Sequence, residues 1–218
     1  MINTARHINV FDPAKIEGKS ICVIGAGATG SRIAYELIKL GIPQFDVWDF
    51  DTIESHNVGN QLFNIEDIGK YKADVIADLG ARNGCKVIPH IKAITADDNP
   101  YNIVFMCADD MSIRQEITKK WLRTATTKIL IETRMSFNEV RVYALTKMAH
   151  IKPWLEVSSY SNEQSEESVC GSKSSVGATA SIASMYAIWQ LINIVNNKQI
   201  YNEIIASMDP MDFLTRKF

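Results

Sequence analysis

Three glycines lie within a six-residue segment, GAGATG, that directly follows a short apolar run. Gly25, Gly27 and Gly30 lack side chains and Ala28 has a small one, so backbone N–H groups can approach phosphate oxygens closely. A helix that begins within such a loop adds the partial positive charge of its N-terminus. The segment therefore predicts a phosphate-binding loop, although glycines at these positions also serve tight packing between a strand and a helix.

Carboxylates follow the next apolar run. Asp49 is placed to bond ribose hydroxyl groups, and on its own it favours an NAD-dependent oxidoreductase. The residues after it favour ATP, because a triphosphate must be neutralised and its Mg²⁺ is held by carboxylate oxygens. The polar groups that a simple nicotinamide site has no use for are Asp51, Asn57, Gln61 and Lys72.

A further carboxylate, Asp109, follows the apolar run Ile103–Met106. Ligands of open α/β sheets bind outside the carboxyl ends of the strands, so Asp109 is a candidate site residue. Arg114 lies five residues later, on a predicted helix. We interpret it as a structural partner of the Asp109 region rather than as a ligand contact.

Apolar runs alternate with helical patterns through the first part of the chain, which predicts parallel strands joined by right-handed crossovers. The predicted strands are residues 21–24, 45–48, 86–91, 103–106 and 128–132, and the predicted helices are one ended by Gly41, one over 70–83 and one over 109–124. Val140–Leu145 alternates and predicts an antiparallel edge strand. These elements predict one doubly wound α/β domain, with a mostly parallel sheet, a Rossmann-like ATP-binding half and a small antiparallel extension.

Two segments follow that carry less regular signals. Residues 158–175 are polar and serine-rich, and a loop of this length is usually functional. Residues 176–195 form a run without a charged residue, and this run is as long as a membrane span. Their polar side chains make insertion costly, so we expect a buried helix and no membrane span. An apolar face larger than one subunit can cover favours a homodimer.

Composition excludes several classes of protein. The 218 residues are 46% hydrophobic and 22% charged, values typical of globular chains and not of disordered or collagen-like ones. A formal net charge of −2 gives no overall basic field, so we expect no nucleic-acid partner. The four cysteines form no Cys-x-x-Cys pair, which argues against a thiolate zinc site. The polar N-terminus does not resemble a signal peptide, and we expect a cytoplasmic location.

Several segments also occur in the order and spacing of a known family. The stretches ICVIGAGATGS, DVWDFDTIESHNVGNQLF, EDIGKYKA and CADDMSIR resemble the adenylation domain shared by ThiF, MoeB and ubiquitin-activating enzymes. This match covers about residues 1–125, and residues 158–195 resemble the family's crossover loop and following helix more loosely. The resemblance implies one adenylation domain over residues 1–218, with a nucleotide-binding half at 1–125 and a carrier-binding half at 126–218.

The resemblance implies adenylation with Mg-ATP. The C-terminal carboxylate of a ubiquitin-like or sulfur-carrier protein that ends in glycine would attack the α-phosphorus, and pyrophosphate would leave. Whether thioester formation follows stays open. By motif match, the resemblance implies that Asp49 binds the ribose, Asn57 contacts the nucleotide and Lys72 neutralises the phosphates. It also implies that Asp109 holds Mg²⁺ and that Asp110 lies at the adenine end. A helix N-cap explains Asp110 equally well.

Two more residues gain a role only through the resemblance. Arg6 stands where the family places an arginine that reaches the partner subunit's ATP in a dimer. Cys170 lies in the region that holds thioester or acyl-disulfide cysteines, and Lys173 and a nearby helix N-terminus would make its thiol more acidic. The alternatives are a terminal arginine without a role and an ordinary loop cysteine.

One position departs from the family pattern. Asn60 stands where the family carries an arginine before Gln61, and asparagine supplies neither a positive charge nor a guanidinium fork. Arg32 and Arg134 are candidates to supply the missing cation. Without a substitute, adenylation is slow or the chain is a noncatalytic partner subunit. That subunit and an NAD-dependent oxidoreductase are two alternatives to an activating enzyme. A related enzyme that uses adenylation to cyclise a carboxyl-terminal residue on a tRNA or peptide is a third.

Overall fold

A computed structural model describes residues 2–157 and 176–218, and in this part of the chain eight strands form one sheet. The strands are β1 (Ile21–Ile24), β2 (Gln44–Trp48), β3 (Lys86–His90), β4 (Ile103–Met106), β5 (Ile129–Met135), β6 (Glu139–Leu145), β7 (Glu203–Met208) and β8 (Met211–Arg216). The α-helices are α1 (Ala28–Lys39), α2 (Lys72–Arg82), α3 (Met111–Trp121), α4 (Ile151–Val157) and α5 (Gly177–Val195).

The strand order is β3-β2-β1-β4-β5-β6-β7-β8. The first five strands in that order are parallel, and the remaining pairings are antiparallel. Helices α1, α2 and α5 supply buried residues to the core on one face, and α3 and α4 supply them on the other. This confirms the predicted α/β class with its antiparallel extension. The direction of winding changes between β1 and β4, and the carboxyl ends of these strands therefore flank a crevice.

The central elements follow directly from their apolar patterns. All four residues of β1 and of β4 are buried, as expected for parallel strands that are covered on both faces. Helix α1 buries Ile33, Leu37 and Ile38, which recur at one helical turn. Gly41, with a φ of +82°, follows the C-cap residue Leu40 and ends the helix as predicted.

The C-terminal half differs from the sequence prediction. β6 is not an edge strand, because it lies between β5 and β7, and β8 forms the edge. The strands β7 and β8 and the helix α4 were not predicted. Helix α4 has only seven residues and contains Pro153, so it shows no full helical period. The short strands of the last hairpin are joined through Asp209 and Pro210, and a proline beside a short run weakens a strand signal.

The N-terminal boundaries of two helices also differ from the prediction. Helix α2 begins at Lys72 because the preceding residue, Tyr71, pairs with Thr52 in an isolated antiparallel bridge. Helix α3 begins at Met111 because Asp110 adopts an extended conformation and caps it. Both predicted helices therefore start two residues too early.

Helix α5 is the segment that resembled a membrane span. It is long and apolar enough to cross a bilayer by length and composition, with a mean hydropathy of 1.3 over 18 residues, of which half are buried. A core helix of a soluble protein meets the same criterion, so the pattern is weak evidence for a span. Met185 and Trp189 remain 38% and 50% exposed, and they form an apolar part of the helix surface.

A buried carboxylate joins β5 to the helices α3 and α4. Glu132, on β5, is fully buried and accepts hydrogen bonds from Arg114 Nη1 at 2.7 Å and from Arg134 Nε at 2.6 Å. Trp154 Nε1 donates to its other oxygen at 2.5 Å. Burial raises the pKa of Glu132, but Arg134 and Arg114 outweigh it, so the pKa lies below its ordinary value.

The glycines between β1 and α1 have different steric roles. A Cβ on Gly30 would lie 1.8 Å from the carbonyl oxygen of Gly25, and Gly25 has a φ of +87° and would meet the backbone of Cys107 and Ala108 at 2.8 Å. A Cβ on Gly27 would meet no atom within 4 Å. Gly25 and Gly30 are therefore required by the packing of the backbone, whereas Gly27 is not.

We predict that Gly30→Ala destabilises the protein by at least about 2 kcal/mol, because the added methyl group forces the helix away from the strand. Gly27→Ala is the matched control and should change the free energy of unfolding by less than about 1 kcal/mol. Urea denaturation followed by circular dichroism measures both values. Equal stability of the two variants would contradict the assigned roles.

We also predict that Glu132→Gln lowers the free energy of unfolding by about 3 kcal/mol at pH 7, because it removes the carboxylate that both guanidinium groups contact. A carboxylate with a lowered pKa stabilises the fold above its unfolded pKa, and this contribution is lost as the pH falls through the folded value. The difference from the wild type should therefore shrink in acid. The control is Glu139→Gln, which removes a partly exposed ion pair with Arg141 and should cost less than about 1 kcal/mol.

Candidate functional site

The carboxyl ends of β1, β2 and β4 meet at the crevice where the sheet reverses its winding. Gly25 N donates to Trp48 O at 2.8 Å, and Cys107 N donates to Ile24 O at 2.8 Å. The glycine loop, the residues after β2 and the residues after β4 are therefore brought together, as the sequence predicted. This is the place where open α/β sheets bind ligands.

The glycine loop leaves room for an anion at the start of α1. Gly27 is the N-cap of this helix, and no side chain caps the helix there. The space in front of its Cα is open, and the next residue, Ala28, begins the helix. Free N–H groups, the helix dipole and an open cradle together fit a phosphate group.

Asp49 fixes the loop to the end of β2. Its Oδ2 accepts from Ala26 N at 2.6 Å and its Oδ1 accepts from Asp51 N at 2.9 Å, while its own N–H donates to His90 O at 3.1 Å. Burial raises the pKa of Asp49 above its ordinary value, and these hydrogen bonds and Lys72 offset part of that effect. Each carboxylate oxygen has a second lone pair, so the side chain can still accept from ribose hydroxyl groups.

A buried lysine lies beside these carboxylates. Lys72 Nζ donates to Asp51 Oδ2 at 2.7 Å, and the lysine side chain is 8% exposed while the aspartate side chain is 53% exposed. The ammonium group is thus held at the start of α2 by a partner that solvent and ligands can reach. Phosphate oxygens can compete for such a lysine, because its ammonium has three donors.

Two contacts anchor the segment after Asp51, and one of its buried polar atoms has no partner in the described part of the chain. Asn57 is buried, and its Oδ1 accepts from Glu54 N at 2.9 Å, so the structure shows a capping role for it. Gln61 Oε1 is buried and has no hydrogen-bond partner among the described residues. The backbone oxygen of Asn60 accepts from Arg32 Nη1 at 2.7 Å, which places a guanidinium directly beside the departure from the family pattern.

The residues after β4 divide into an exposed and a structural set. Asp109 is exposed at the carboxyl end of the strand, next to the backbone that packs on Gly25. Asp110 caps α3, since its Oδ1 accepts from Ser112 N at 2.7 Å and from Ile113 N at 3.2 Å. Its role at the adenine stays a prediction.

Arg114 and Arg134 serve the buried network below this loop. Arg114 pairs with Glu132, and its Nε donates to Ala108 O at 2.5 Å, next to Asp109, which agrees with a structural role. Arg134 pairs with the same glutamate, and its guanidinium lies 5.1 Å from the ring centre of Tyr143. Both arginines thus support the loop that carries Asp109.

Two predicted residues are not brought to this crevice in the described part of the chain. Arg6 is exposed, and its neighbour His7 Nε2 lies 3.4 Å from Leu40 O, at the C-terminal end of α1. The glycine loop is at the opposite end of that 12-residue helix, about 18 Å away at 1.5 Å per residue. Cys170 lies outside the described residues.

Sequence reasoning missed the groups that hold the Asn60 segment in place. Ser31 is buried, and its Oγ accepts from Leu62 N at 3.2 Å. Ser181, on α5, accepts from Arg32 Nε at 2.9 Å. The serine that follows the last glycine of the loop was a visible signal for the first contact. The second joins residues 149 positions apart, and no local pattern reveals it.

Known proteins include relatives with similar sequences. The chain is 33% identical to the NEDD8-activating enzyme E1 catalytic subunit of Arabidopsis thaliana over 129 residues, which are 51% of this chain and 28% of that protein. It is 23% identical to the ATP-dependent ubiquitin transferase-like protein Cap2 of Enterobacter hormaechei over 157 residues, which are 67% of this chain and 26% of that protein. The chain thus spans about a quarter of the length of these relatives.

The fold also occurs in solved structures. E. coli MccB in complex with ATP superposes with a TM-score of 0.74 and 15% sequence identity, over 94% of this chain and 65% of MccB. The sequence model of the ThiF family matches residues 4–218, which is nearly the whole chain. This chain belongs to the ThiF family.

Proposed function

We propose that this chain activates the C-terminal carboxylate of a small ubiquitin-like or sulfur-carrier protein by adenylating it with ATP. The observation that carries the proposal is the open glycine cradle at the sheet's switch point, with the buried Lys72 and the carboxylates of Asp49 and Asp51 beside it. Membership of the ThiF family supports it. So do the relatives, which are named as a NEDD8-activating enzyme and an ATP-dependent ubiquitin transferase-like protein.

The charges in the crevice support ATP over NAD. A dinucleotide needs one acidic residue for its ribose and little else near the pyrophosphate. This crevice adds a lysine that is nearly buried and a second, exposed carboxylate. A lysine in that position suits a triphosphate, whose charge far exceeds that of a dinucleotide's pyrophosphate.

The reaction is an in-line displacement at phosphorus. A carboxylate oxygen of the carrier forms a bond to the α-phosphorus, the bond from that phosphorus to the bridging oxygen breaks, and pyrophosphate leaves with the electron pair. A carboxylate is a weak nucleophile toward an anionic phosphate, so the chain must align the reactants and neutralise charge. In the proposal, the glycine loop and α1 hold the phosphates, Asp49 holds the ribose and Lys72 neutralises the negative charge.

Magnesium fits the same crevice. Mg²⁺ in nucleotide sites is usually held by one or two carboxylates together with phosphate oxygens and water. Asp109, exposed at the end of β4, is the residue we propose to hold it, and the ion would neutralise charge on the phosphates. Asp51 is the second exposed carboxylate on this side of the site.

Later steps and the setting of the reaction are also proposals. If a thioester follows adenylation, Cys170 is its candidate, since the three described cysteines are Cys22, Cys85 and Cys107 and burial raises the pKa of each. We further propose a cytoplasmic location, in which these thiols stay reduced.

We predict that Lys72→Ala lowers the rate of pyrophosphate exchange into ATP by about 100-fold, the scale of losing one preorganised charge in a transition state. The assay contains Mg²⁺ and a small carrier protein that ends in Gly-Gly. Asp109→Ala should abolish exchange by removing the magnesium ligand. The matched control is Lys70→Ala, which removes an exposed lysine paired with Asp67 and should leave the rate within about 2-fold.

Two results would redirect the proposal. Calorimetry that detects tight binding of NAD and none of ATP would replace it with the oxidoreductase. Wild-type protein that binds both ATP and the carrier but shows no exchange would place the chain among noncatalytic partner subunits.

A homodimer is part of the proposal. Met185 and Trp189 expose apolar surface on α5, and Asn196 Nδ2 at the end of that helix donates to Val10 O at 2.7 Å. The N-terminal segment with Arg6 is therefore fixed on the α5 side of the molecule and far from its own glycine loop. An arginine held there can serve a site only in a second copy.

We predict that mixing chains with Arg6→Ala and chains with Lys72→Ala gives pyrophosphate exchange well above that of either variant alone. Each mixed dimer has one site with both an intact lysine and an intact arginine from the other copy, so random pairing restores about a quarter of the wild-type sites. The exchange assay above measures it after the subunits are dissociated and reassociated. Absence of any recovery, or a monomer in light scattering, would exclude the role of Arg6 across the dimer.

A further inference from the structure

Arg32 joins three elements at the edge of the glycine loop. Its Nε donates to Ser181 Oγ on α5 at 2.9 Å, and its Nη1 donates to Ala28 O at 2.8 Å and to Asn60 O at 2.7 Å. A Cβ on Gly177, the first residue of α5, would lie 2.9 Å from Nη2. The guanidinium is thus folded back toward the N-terminus of α1 and enclosed between α5 and the Asn60 segment.

This position is electrostatically unfavourable for a cation. The N-terminus of α1 carries a partial positive charge, which repels a guanidinium. Burial lowers the pKa of Arg32, which means that the protein solvates its charge less well than water does. None of the ion pairs among residues 2–157 and 176–218 includes Arg32. Its three hydrogen-bond acceptors are all neutral, so no carboxylate among these residues balances its charge.

The hydrogen-bond inventory also leaves room for an anion. A guanidinium has five N–H donors, and the three contacts above use the one on Nε and the two on Nη1. Nη2 donates to no acceptor in the described chain, and it is not one of the buried atoms that lack partners. Its two donors therefore face space that solvent or a ligand can occupy.

Other cations beside the crevice are already matched with carboxylates. Lys72 pairs with Asp51, and Arg114 and Arg134 both pair with Glu132. Arg32 differs because its charge is held in place by neutral groups alone. A charge fixed in advance by hydrogen bonds to its own scaffold costs little to reorganise when a ligand arrives.

We propose that Arg32 binds the triphosphate of ATP and neutralises the charge that accumulates on the departing pyrophosphate. This inference rests on the proposed adenylation, and it supplies from α1 the cation that Asn60 does not. Ser181 and the carbonyl of Asn60 position the guanidinium, so α5 contributes to the phosphate site without touching the nucleotide. Arg134 differs from Arg32 in that its guanidinium pairs with Glu132 and lies over the ring of Tyr143.

The test compares ATP with adenosine. Arg32→Gln keeps a shorter polar side chain but removes the charge. We expect it to weaken ATP binding by about 10-fold or more in calorimetry, the scale of one charge-assisted contact. Adenosine lacks phosphates, so its affinity should change by less than about 2-fold. A merely structural arginine would weaken both ligands alike, and that result would overturn the proposal.

Three further variants keep the test independent of misfolding. Lys39→Ala removes a cation from the other end of α1, where it bonds Asn83, and should leave ATP affinity unchanged. Arg32→Lys retains the charge and should retain more ATP affinity than Arg32→Gln. Asn60→Arg should restore ATP affinity in the Arg32→Gln chain and add none to the wild type. A gain of 10-fold or more in the wild type would show a vacant cation site and overturn the proposal.

Failure of this inference differs from failure of the proposed function. If wild-type protein exchanges pyrophosphate and Arg32→Gln binds and exchanges equally well, only the assignment of Arg32 is wrong. If the ATP-specific loss is observed but the wild type never exchanges pyrophosphate with a bound carrier, the assignment stands and the adenylation does not.

Discussion

The backbone of Gly30 lies directly against the carbonyl of Gly25, and the geometry of the crevice depends on this contact. It brings the first turn of α1 onto the end of β1, while Gly25 in turn packs on the backbone that follows β4. Neither approach leaves space for a methyl group. Because Asp49 bonds the amide of Ala26 in the same loop, the end of β2 is fixed to the same point. Three strands thereby present their polar termini to one volume of space.

Charge in that volume is arranged in two layers. Above the sheet, Lys72 and Asp51 form an ion pair whose acidic member is exposed. The lysine can therefore exchange Asp51 for a negatively charged ligand at a low cost in free energy. Below the loop that carries Asp109, Glu132 is buried between two guanidinium groups, and breaking that pairing is expensive. The first pair suits exchange of partners during a reaction. The second suits a fixed support, since Arg114 also bonds the carbonyl of Ala108.

The parts of the fold and site that the sequence predicted are those with local signals. A continuous apolar run predicts β1 and β4, and glycines after it predict the loop, because both depend on neighbours in the chain. The helix-capping role of Asp110 was one of two predicted explanations, because a cap also depends only on neighbouring residues. By contrast, β6 was misplaced at an edge because its place in the sheet depends on β7, sixty residues later, whose short run carries no strong pattern. One hydrogen-bond acceptor of Arg32 lies on α5, so the sequence around Arg32 gave no sign of it.

Helix α5 packs against α1 and also against β5 and β6 in the second half of the chain. During synthesis, β1 and the glycine loop emerge long before residue 181. The apolar side of α1 then lacks a part of its cover, and the guanidinium of Arg32 lacks one of its acceptors. The surroundings of Arg32 can therefore be complete only after α5 has packed against α1. A chain that ends before α5 would keep the residues of the glycine loop but lose Ser181, one of the groups that hold this guanidinium in place.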